Sequence, residues 1–212
     1  QIRVLQSAAA TGTLGKGFIN LPIDGLRQIA TNDYINAAGN GGVLATDSTP
    51  LIQRVNGATD KGARVVWAAT VVDEVQWAGI SYPPDIDDTA NVLVNLLISK
   101  DTNTDTAAVV AVNAFEGIGD TNMGSNTAAL ATAALTKYVV TLTGANIGTY
   151  PNFMNLALIP GTHANDAVRL HAAWIEYTRA GGGPSSAYAL TDLSADVDNE
   201  VAFRATFVNT SA

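Results

Sequence analysis

The stretch that most constrains the fold of this chain is residues 63–99. Long apolar segments of strand length are separated there by the turn sequence Tyr-Pro-Pro-Asp-Ile-Asp-Asp-Thr at 82–89, with no helical repeat between them. A second Pro-containing polar turn, at 159–166, leads into an apolar and aromatic segment at 168–177. Short segments rich in Val, Ile and aromatic residues, bounded by Pro, Gly and Asp, are typical of strands in β-sandwiches. The sequence therefore predicts an all-β fold in which these turns are corners between sheets.

Eight candidate strands follow from residue 63 onward. They cover 63–72, 74–82, 91–99, 107–116, 137–144, 153–159, 167–179 and 199–208. Alternation is clearest in the last, where Val201, Phe203 and Phe207 share one face and Arg204 lies on the other. Eight antiparallel strands with long corners predict a two-sheet antiparallel sandwich of the jelly-roll type. A seven-stranded immunoglobulin-like sandwich is the nearest alternative.

Other segments lack a strand pattern. The Ala-rich and Thr-rich segment 126–135 is interpreted as a short helix or a loop. Residues 1–62 are interrupted by many glycines and prolines, which predicts an N-terminal arm with little regular structure that lies on a neighbouring subunit. A loop-rich part of the same domain is the alternative. The predicted domains are this arm, a β-sandwich at 63–180, and a Gly-rich break with a terminal strand at 181–212.

Charge is distributed unevenly along the chain. Residues 1–64 carry six basic and four acidic side chains, a net charge of +2, so the remainder contributes −10 to the total of −8. An acidic protein is a poor match for phosphates, so we expect no nucleic-acid partner. No apolar run approaches the roughly 18 to 20 residues of a membrane span, so we expect no membrane partner. The absence of cysteine excludes disulfides and thiolate metal sites.

The two histidines give little support for catalysis. Neither His163 nor His171 belongs to a motif with a Ser, Cys or carboxylate nucleophile. Simple alternation places His171 on the strand face of Arg169 and Tyr177, opposite Trp174, as a surface or interface residue. His163 is predicted to be a solvated turn residue. The sequence thus predicts a protein that is not an enzyme and that needs no cofactor.

Acidic and glycine-rich segments match known ligand motifs only in part. Residues 101–105 have carboxylates and hydroxyls at alternate positions, like the start of an EF-hand calcium loop. However, Thr106 and Val112 stand where that loop needs Gly and Glu. We therefore interpret 101–105 as a hairpin turn and the acids at 85–88 as solvated, with no metal bound. The glycines at 116–124 lack the third glycine of a dinucleotide fingerprint and are interpreted as a loop.

The aromatic residues allow two interpretations. Trp67, Trp77 and Trp174 each lie within a predicted strand among Val, Ala and Ile, which favours core packing. A sugar-binding platform would need one of them, or Tyr82, to be exposed beside a polar loop such as 83–89.

Four short motifs carry a family resemblance. They are Val65-Val66-Trp67-Ala68, Val75-Gln76-Trp77, the turn Pro83-Pro84-Asp85-Ile86-Asp87-Asp88, and Ala164-Asn165-Asp166 leading to Trp174-Ile175-Glu176-Tyr177. With these motifs the segment 63–177 resembles β-sandwich virion proteins of tailed bacteriophages. The resemblance implies a jelly-roll decoration or cement protein on the outer capsid, often a trimer, that clamps neighbouring major capsid subunits.

The predicted function is that of a virion structural protein that stabilises the head by bridging capsid subunits. Its predicted partners are the major capsid protein and copies of itself in a homotrimer, on the outer head surface after assembly in the host cytoplasm. The predicted partner-binding residues are Arg3, Lys16, Phe18, Arg27, Arg54 and Lys61. The alternatives are a tail, head-fibre or knob component, or a carbohydrate-binding receptor-recognition module.

Overall fold

The computed structural model describes residues 15–30, 33–34, 43–44, 50–56, 58, 61–117, 122–144, 147–148 and 150–180. Twelve strands are assigned in these residues: β1 (Lys16–Leu21), β2 (Arg27–Ala30), β3 (Asp33–Tyr34), β4 (Leu51–Asn56), β5 (Lys61–Trp67), β6 (Glu74–Ser81), β7 (Val92–Lys100), β8 (Val109–Glu116), β9 (Asn122–Ala129), β10 (Thr136–Leu142), β11 (Phe153–Pro160) and β12 (Val168–Thr178). One turn of 3-10 helix, Ile23–Gly25, lies between β1 and β2. In the part of the chain that is described, no helix has the length and apolarity needed to cross a membrane.

The strands form two antiparallel sheets. Sheet A has the order β10-β7-β12-β5-β4, and β1 also pairs with β12 beside β5. Sheet B has the order β3-β2-β6-β11-β8-β9. The two sheets pack face to face around one apolar core. The predicted all-β, two-sheet antiparallel sandwich is confirmed.

The order of the strands also agrees with the predicted jelly roll. Among the eight consecutive strands β5 to β12, sheet A takes the first, eighth, third and sixth as neighbours, and sheet B takes the second, seventh, fourth and fifth. This interleaving of two Greek keys is the arrangement of a jelly roll.

The core is made by the inward-facing residues of both sheets. Alternate residues of β7 and β12 are fully buried in sheet A, and β11 supplies the facing residues of sheet B. The largest of these side chains with less than 2% exposure include Trp67, Leu96, Met154, Leu156 and Ile175. Their burial supplies the main favourable term of folding, about 25 cal/mol per Å² of apolar surface removed from water.

Strand β9 was not predicted from the sequence. It overlaps the segment 126–135, interpreted above as a helix or loop, and it pairs with β8 from Val109↔Ala129 to Ala114↔Gly124. Ala128 faces the core with 6% exposure, whereas Thr127 and Ala129 are exposed. The period of two is present, but Ala and Thr give it a weak contrast in hydrophobicity.

The described part of residues 1–62 contains regular structure, which corrects the prediction of an irregular arm. β1 pairs with β12, β2 pairs with β6, and β4 pairs with β5. Leu21 and Leu26 are buried at 3% and 0% exposure, so this region also contributes to the core. Its glycines and prolines mark short turns between short strands. The division into domains stays a prediction, and the strand predicted at 199–208 lies outside the described residues.

The Pro-Pro-Asp turn is a structural corner, as predicted. Asp85 accepts a hydrogen bond from Arg179 Nε at 2.5 Å and another from the Tyr177 hydroxyl at 3.1 Å. The hydrogen bond from Arg179 is the main reason that the pKa of Asp85 lies below its usual value. Asp87 accepts from the backbone and hydroxyl of Thr89. The Asp85 carboxylate therefore holds the corner against the end of β12, whereas the Asp87 carboxylate stabilises the turn locally.

Candidate ligand-binding surface

The outer face of sheet A, which points away from sheet B, is defined by the strand register. On β12, Ala173, Ile175 and Tyr177 are buried, so Trp174 and Glu176 point outward. The same alternation in the paired strands gives the remaining outer-face residues. They are Lys16, Phe18 and Asn20 on β1, Leu51, Gln53 and Val55 on β4, Gly62, Arg64 and Val66 on β5, Leu93, Asn95, Leu97 and Ser99 on β7, Lys137, Val139 and Thr141 on β10, and Arg169, His171, Ala172 and Thr178 on β12.

Two aromatic side chains lie on adjacent strands of this face. Phe18 on β1 is 64% exposed and pairs with Glu176, and Asn20 pairs with Trp174, which is half-buried. Phe18 and Trp174 are therefore diagonal neighbours across the β1–β12 ladder, a separation within reach of aromatic side chains.

Strand β1 is held close to β12 by a glycine. Gly17 pairs with Tyr177 on the inner face, and a Cβ atom at Gly17 would overlap the ring of Tyr177. The missing side chain lets the ring lie directly beneath the β1 backbone. This contact fixes the strand that carries Phe18 on its other face.

An apolar floor extends from the aromatic pair toward β10. Asn95 lies between Trp174 on β12 and Val139 on β10 in the register, and it is only 1% exposed although it points outward. Its amide nitrogen donates to the Leu93 carbonyl at 3.2 Å. Leu93 and Leu97 are half-buried, and Val139 is 44% exposed. The face is therefore mainly apolar here, with polar groups at its border.

Polar groups border the aromatic pair on β1 and β12. Lys16 Nζ lies 3.7 Å from Glu176 Oε1 and donates to the Thr178 hydroxyl at 3.2 Å. Asn20 is exposed beside Trp174. A carboxylate acceptor, an ammonium donor and an amide thus stand next to two rings.

Three basic side chains, two arginines and a histidine, group at the other end of β12. Arg169 pairs with Val66 on β5 and with Ser99 on β7, and His171 Nε2 lies 2.9 Å from the Ser99 hydroxyl. Arg64 precedes Val65, the partner of Leu170, so Arg64 and His171 are neighbours one step along the ladder.

The charges of this group affect one another. Burial and then the charges of Arg64 and Arg169 lower the pKa of His171. Burial, followed by the charge of Arg169, also lowers the pKa of Arg64. The three groups are therefore close enough to repel one another when they are all protonated.

A β-bulge changes which residues share this face. The pairing of β12 with β7 shifts between Leu170 and Ala172. An extra residue in one strand moves all later side chains to the opposite face. The prediction that Trp174 lies opposite His171, and Tyr177 beside it, is therefore wrong: Trp174 shares the outer face with His171 and Arg169, and Tyr177 points inward.

The six predicted partner-binding residues do not form one surface in the part of the chain that is described. Lys16 and Phe18 lie on the outer face of sheet A. Arg27 belongs to sheet B, where its guanidinium donates to the carbonyls of Asp24 and Leu26 at 3.0 and 2.9 Å. Arg54 and Lys61 are exposed near the end of the β4–β5 pair. Arg3 lies outside the described residues.

Most of the predicted sugar platform is buried. Trp67, Trp77 and Tyr82 are 1%, 4% and 2% exposed, which confirms the prediction of core packing for the first two. The Trp67 and Trp77 indoles donate to the carbonyls of Asp73 and Pro22 at 3.0 and 2.7 Å. Of the four aromatic residues considered for a sugar platform, only Trp174 is partly exposed, and it lies in the middle of β12.

The loop at 101–105 is held by buried side chains. Lys100 and Asp166 have no exposed side-chain surface, with Nζ 3.5 Å from Oδ2, and Lys100 Nζ also donates to the Asp105 carbonyl at 2.6 Å. Asp105 in turn accepts from the backbone of Asn165 at 2.8 Å and of Asp166 at 2.6 Å. These bonds tie the β7–β8 loop to the β11–β12 loop. The described residues contain no group of three or more His, Cys, Asp or Glu that could hold a metal ion.

His163 is buried, contrary to the prediction of a solvated turn residue. Its side chain is 0% exposed, and its two ring nitrogens lie 2.7 Å from the Asp166 carbonyl and 2.6 Å from the Val71 carbonyl. The contact with Val71 connects the β11–β12 loop to the β5–β6 loop, and the contact with Asp166 lies within the β11–β12 loop. The imidazole therefore packs among the loops and is not exposed to solvent as a base would be.

Comparisons with known proteins yield structural neighbours only. The sequence matches no family model and no curated protein sequence. A xylan-binding module (CBM15) is 11% identical, with 77% of this chain and 97% of that chain covered at a TM-score of 0.47. The CBM36-1 domain of a multidomain xylanase from the hindgut metagenome of Trinervitermes trinervoides is 11% identical, with coverages of 79% and 97% and a TM-score of 0.37. TmCBM61, solved with β-1,4-galactotriose, is 8% identical, with coverages of 78% and 90% and a TM-score of 0.38. These scores are below 0.5, and the fold described above rests on the strand pairing of this chain itself.

Proposed function

We propose that the protein is a non-catalytic binding module that holds a carbohydrate chain on the outer face of sheet A. The observation that carries this proposal is the placement of Phe18 and Trp174 on adjacent strands beside Lys16, Asn20 and Glu176. The apolar C–H face of a sugar ring packs against aromatic rings, and its hydroxyls need nearby donors and acceptors. This surface supplies both.

The surface is also prepared for binding before the ligand arrives. Phe18 stands on a strand that is paired along its length with β12, and Trp174 stands on a strand paired with both β1 and β7. Because pairing already orders the backbone of both strands, binding has to order only the side chains, and less of the interaction energy is spent on ordering the site.

The test is binding of neutral polysaccharides to Trp174→Ala. Retardation in polysaccharide-containing native gels, measured over a panel of neutral glycans, identifies a glycan that binds the unmodified chain. Loss of the indole should weaken that binding by about tenfold or more, because truncating an aromatic anchor typically costs about 2 kcal/mol. Tyr150→Ala removes an aromatic residue that is 49% exposed elsewhere, and it should bind like the unmodified chain. Equal binding by Trp174→Ala would refute the proposal.

A second candidate function is the virion structural role. The observation that favours it is the continuation of apolar side chains from Phe18 across Leu93 and Leu97 to Val139, further than the aromatic pair itself. Extended apolar patches are typical of protein interfaces. In this role the face would pack against the major capsid protein on the outer head surface, with copies of the chain in a trimer. A tail, head-fibre or knob position would use the same face.

The second candidate has its own test. Val139→Asp should abolish attachment to purified capsids that lack the protein, because it places a charge within the apolar patch, whereas glycan retardation through Phe18 and Trp174 should persist. Capsid occupancy equal to that of the unmodified chain would contradict the structural role.

A further inference from the structure

We infer that the outer face of sheet A includes an anion-binding site formed by Arg64, Arg169 and His171, which selects an acidic carbohydrate, such as a chain of uronic acids. The inference rests on the proposed carbohydrate-binding function and names the class of carbohydrate.

The first observation is the small number of partners that these cations have. Among the described residues, the Arg169 guanidinium makes one ion pair, from Nη2 to Asp101 Oδ2 at 3.6 Å, and its Nε is shielded from solvent without a hydrogen-bond partner. Arg64 donates from Nε to the neutral Gln53 side chain at 2.7 Å. A buried guanidinium N–H group without an acceptor lowers the stability of the protein. An anion that binds the guanidinium would supply new acceptors and allow the group to reorient, which favours binding.

The second observation is mutual repulsion within the group. Arg64 and Arg169 both disfavour the protonated form of His171, and Arg169 disfavours the charged form of Arg64. One carboxylate, on Asp101, faces the group from the β7–β8 loop. A carboxylate or sulfate on a ligand would relieve this repulsion, and bidentate pairing with a guanidinium suits either group.

The third observation is the sign of charge on this face. In the described strands of sheet A, the outer face carries Lys16, Arg64, Lys137 and Arg169 against a single acid, Glu176. The whole chain has a net charge of −8, so this face has the opposite sign to the protein as a whole. Such a local excess attracts an anion at short range, while the rest of the surface repels it.

The fourth observation is continuity with the aromatic pair. His171 and Trp174 lie on the same face of β12, three residues apart, or about 10 Å at the rise of a β-strand. A carbohydrate chain that packs on Trp174 can therefore reach the cationic group when it follows the strand. The acidic groups of the ligand would then pair with Arg64 and Arg169.

The test compares two polymers with the same sugar backbone: polygalacturonate, whose carboxylates are ionised, and its fully methyl-esterified form, whose carboxyl groups carry no charge. Binding of the full chain is measured at 0.15 M salt, where the Debye length is about 8 Å and long-range repulsion by the acidic protein is screened. Polygalacturonate should bind at least about tenfold more tightly than the ester, as one or two charge-assisted pairs would give. The double variant Arg64→Gln, Arg169→Gln should lose this preference and retain the affinity for the ester. Lys137→Gln removes an exposed cation of the same face and should retain the preference.

The outcomes separate this inference from the proposed function. Equal affinity for both polymers, or a preference retained by the double variant, overturns the anion site and leaves carbohydrate binding intact. If neither polymer binds, the ligand is not an acidic carbohydrate. The binding measurements with neutral glycans described above then test the proposed function by themselves. Polyglutamate serves as the third probe: if it binds as tightly as polygalacturonate and with the same arginine dependence, the partner is an acidic protein and the carbohydrate assignment falls.

Discussion

The two faces of sheet A are built from the same strands but differ in chemistry. On the inner face, Val94, Leu96 and Ile175 have no exposed surface and contribute to the core. On the outer face, the intervening positions of β7 and β12 carry an amide, half-buried leucines, a tryptophan and cations. Because successive residues of a strand point to opposite sides, each strand can serve stability and binding at once. Substitutions one residue apart on the same strand should therefore affect either stability or binding, but not both.

The sharpest test of this separation, and the largest expected effect, is the pair Leu96→Ala and Leu97→Ala on β7. Leu96 is 0% exposed on the inner face, so its truncation should lower the free energy of unfolding by about 2 to 5 kcal/mol. Leu97 is half-buried on the outer face, and its truncation should cost less than about 1 kcal/mol. Urea denaturation of both variants measures the difference. Similar losses for the two variants would mean that both faces contribute equally to stability, against the division of roles between them.

Gly17→Ala should produce an intermediate effect that links the two faces. The added methyl group meets the ring of Tyr177, so the ring must move and weaken its hydrogen bond to Asp85. Overpacking of this kind typically costs about 1 to 3 kcal/mol. Thermal unfolding measures the stability, and glycan retardation measures whether Phe18 is displaced with β1. Asn20→Ala, on the same strand but exposed on the outer face, should leave the stability nearly unchanged. A stability equal to the unmodified chain would refute the close packing of β1 on Tyr177.

The smallest expected effect is a pH dependence of polygalacturonate binding through His171. In the free protein its pKa is lowered, first by burial and then by Arg64 and Arg169, while Ser99 contacts the ring and Asp101 pairs with Arg169. A bound anion offsets the cations, so the bound form takes up a proton more readily. Affinity should therefore rise as pH falls from about 8 to about 5.5, by up to about tenfold for each unit by which the bound anion raises the pKa of His171.

The matched control for this dependence is His171→Gln, which keeps a hydrogen-bonding side chain near Ser99 and does not titrate. Isothermal titration calorimetry of both proteins over the same pH range gives the comparison. A slope of equal size in His171→Gln would assign the dependence to another group.

Much of the fold could be predicted from apolar segments of strand length and the turn residues between them. The corner at 82–89 and the strands from β5 to β8 and from β10 to β12 follow from runs of Val, Ile and Leu between turn residues. Strand β9 could not be recognised in the same way, because Ala and Thr give similar burial signals on both faces. The short strands before residue 62 were hidden by their glycines and prolines.

The binding surface was harder to predict because it depends on one extra residue in β12. Alternation counted from Val168 places Trp174 inside, and the bulge after Leu170 reverses this. The sequence did contain an indication of the correct face. Between Ala172 and Tyr177, Glu176 is the charged residue, and Trp174, two positions earlier, lies on the same side of the strand. The grouping of Arg64 with Arg169 and His171 could not be predicted from the sequence, because it depends on the pairing of β5 with β12. That pairing joins residues more than 100 positions apart.

The most direct test of the binding face is to measure the changes in amide and indole NMR chemical shifts of the isotope-labelled chain. An oligomer of a polysaccharide that the chain binds is added stepwise. The largest changes should occur at Phe18, Asn95 and the Trp174 indole, which lie on adjacent strands of the outer face of sheet A. The buried indoles of Trp67 and Trp77 should hardly move. Changes confined to the outer face of sheet B, around Gln76 and Asn113, would mean that the ligand binds to sheet B and not to sheet A.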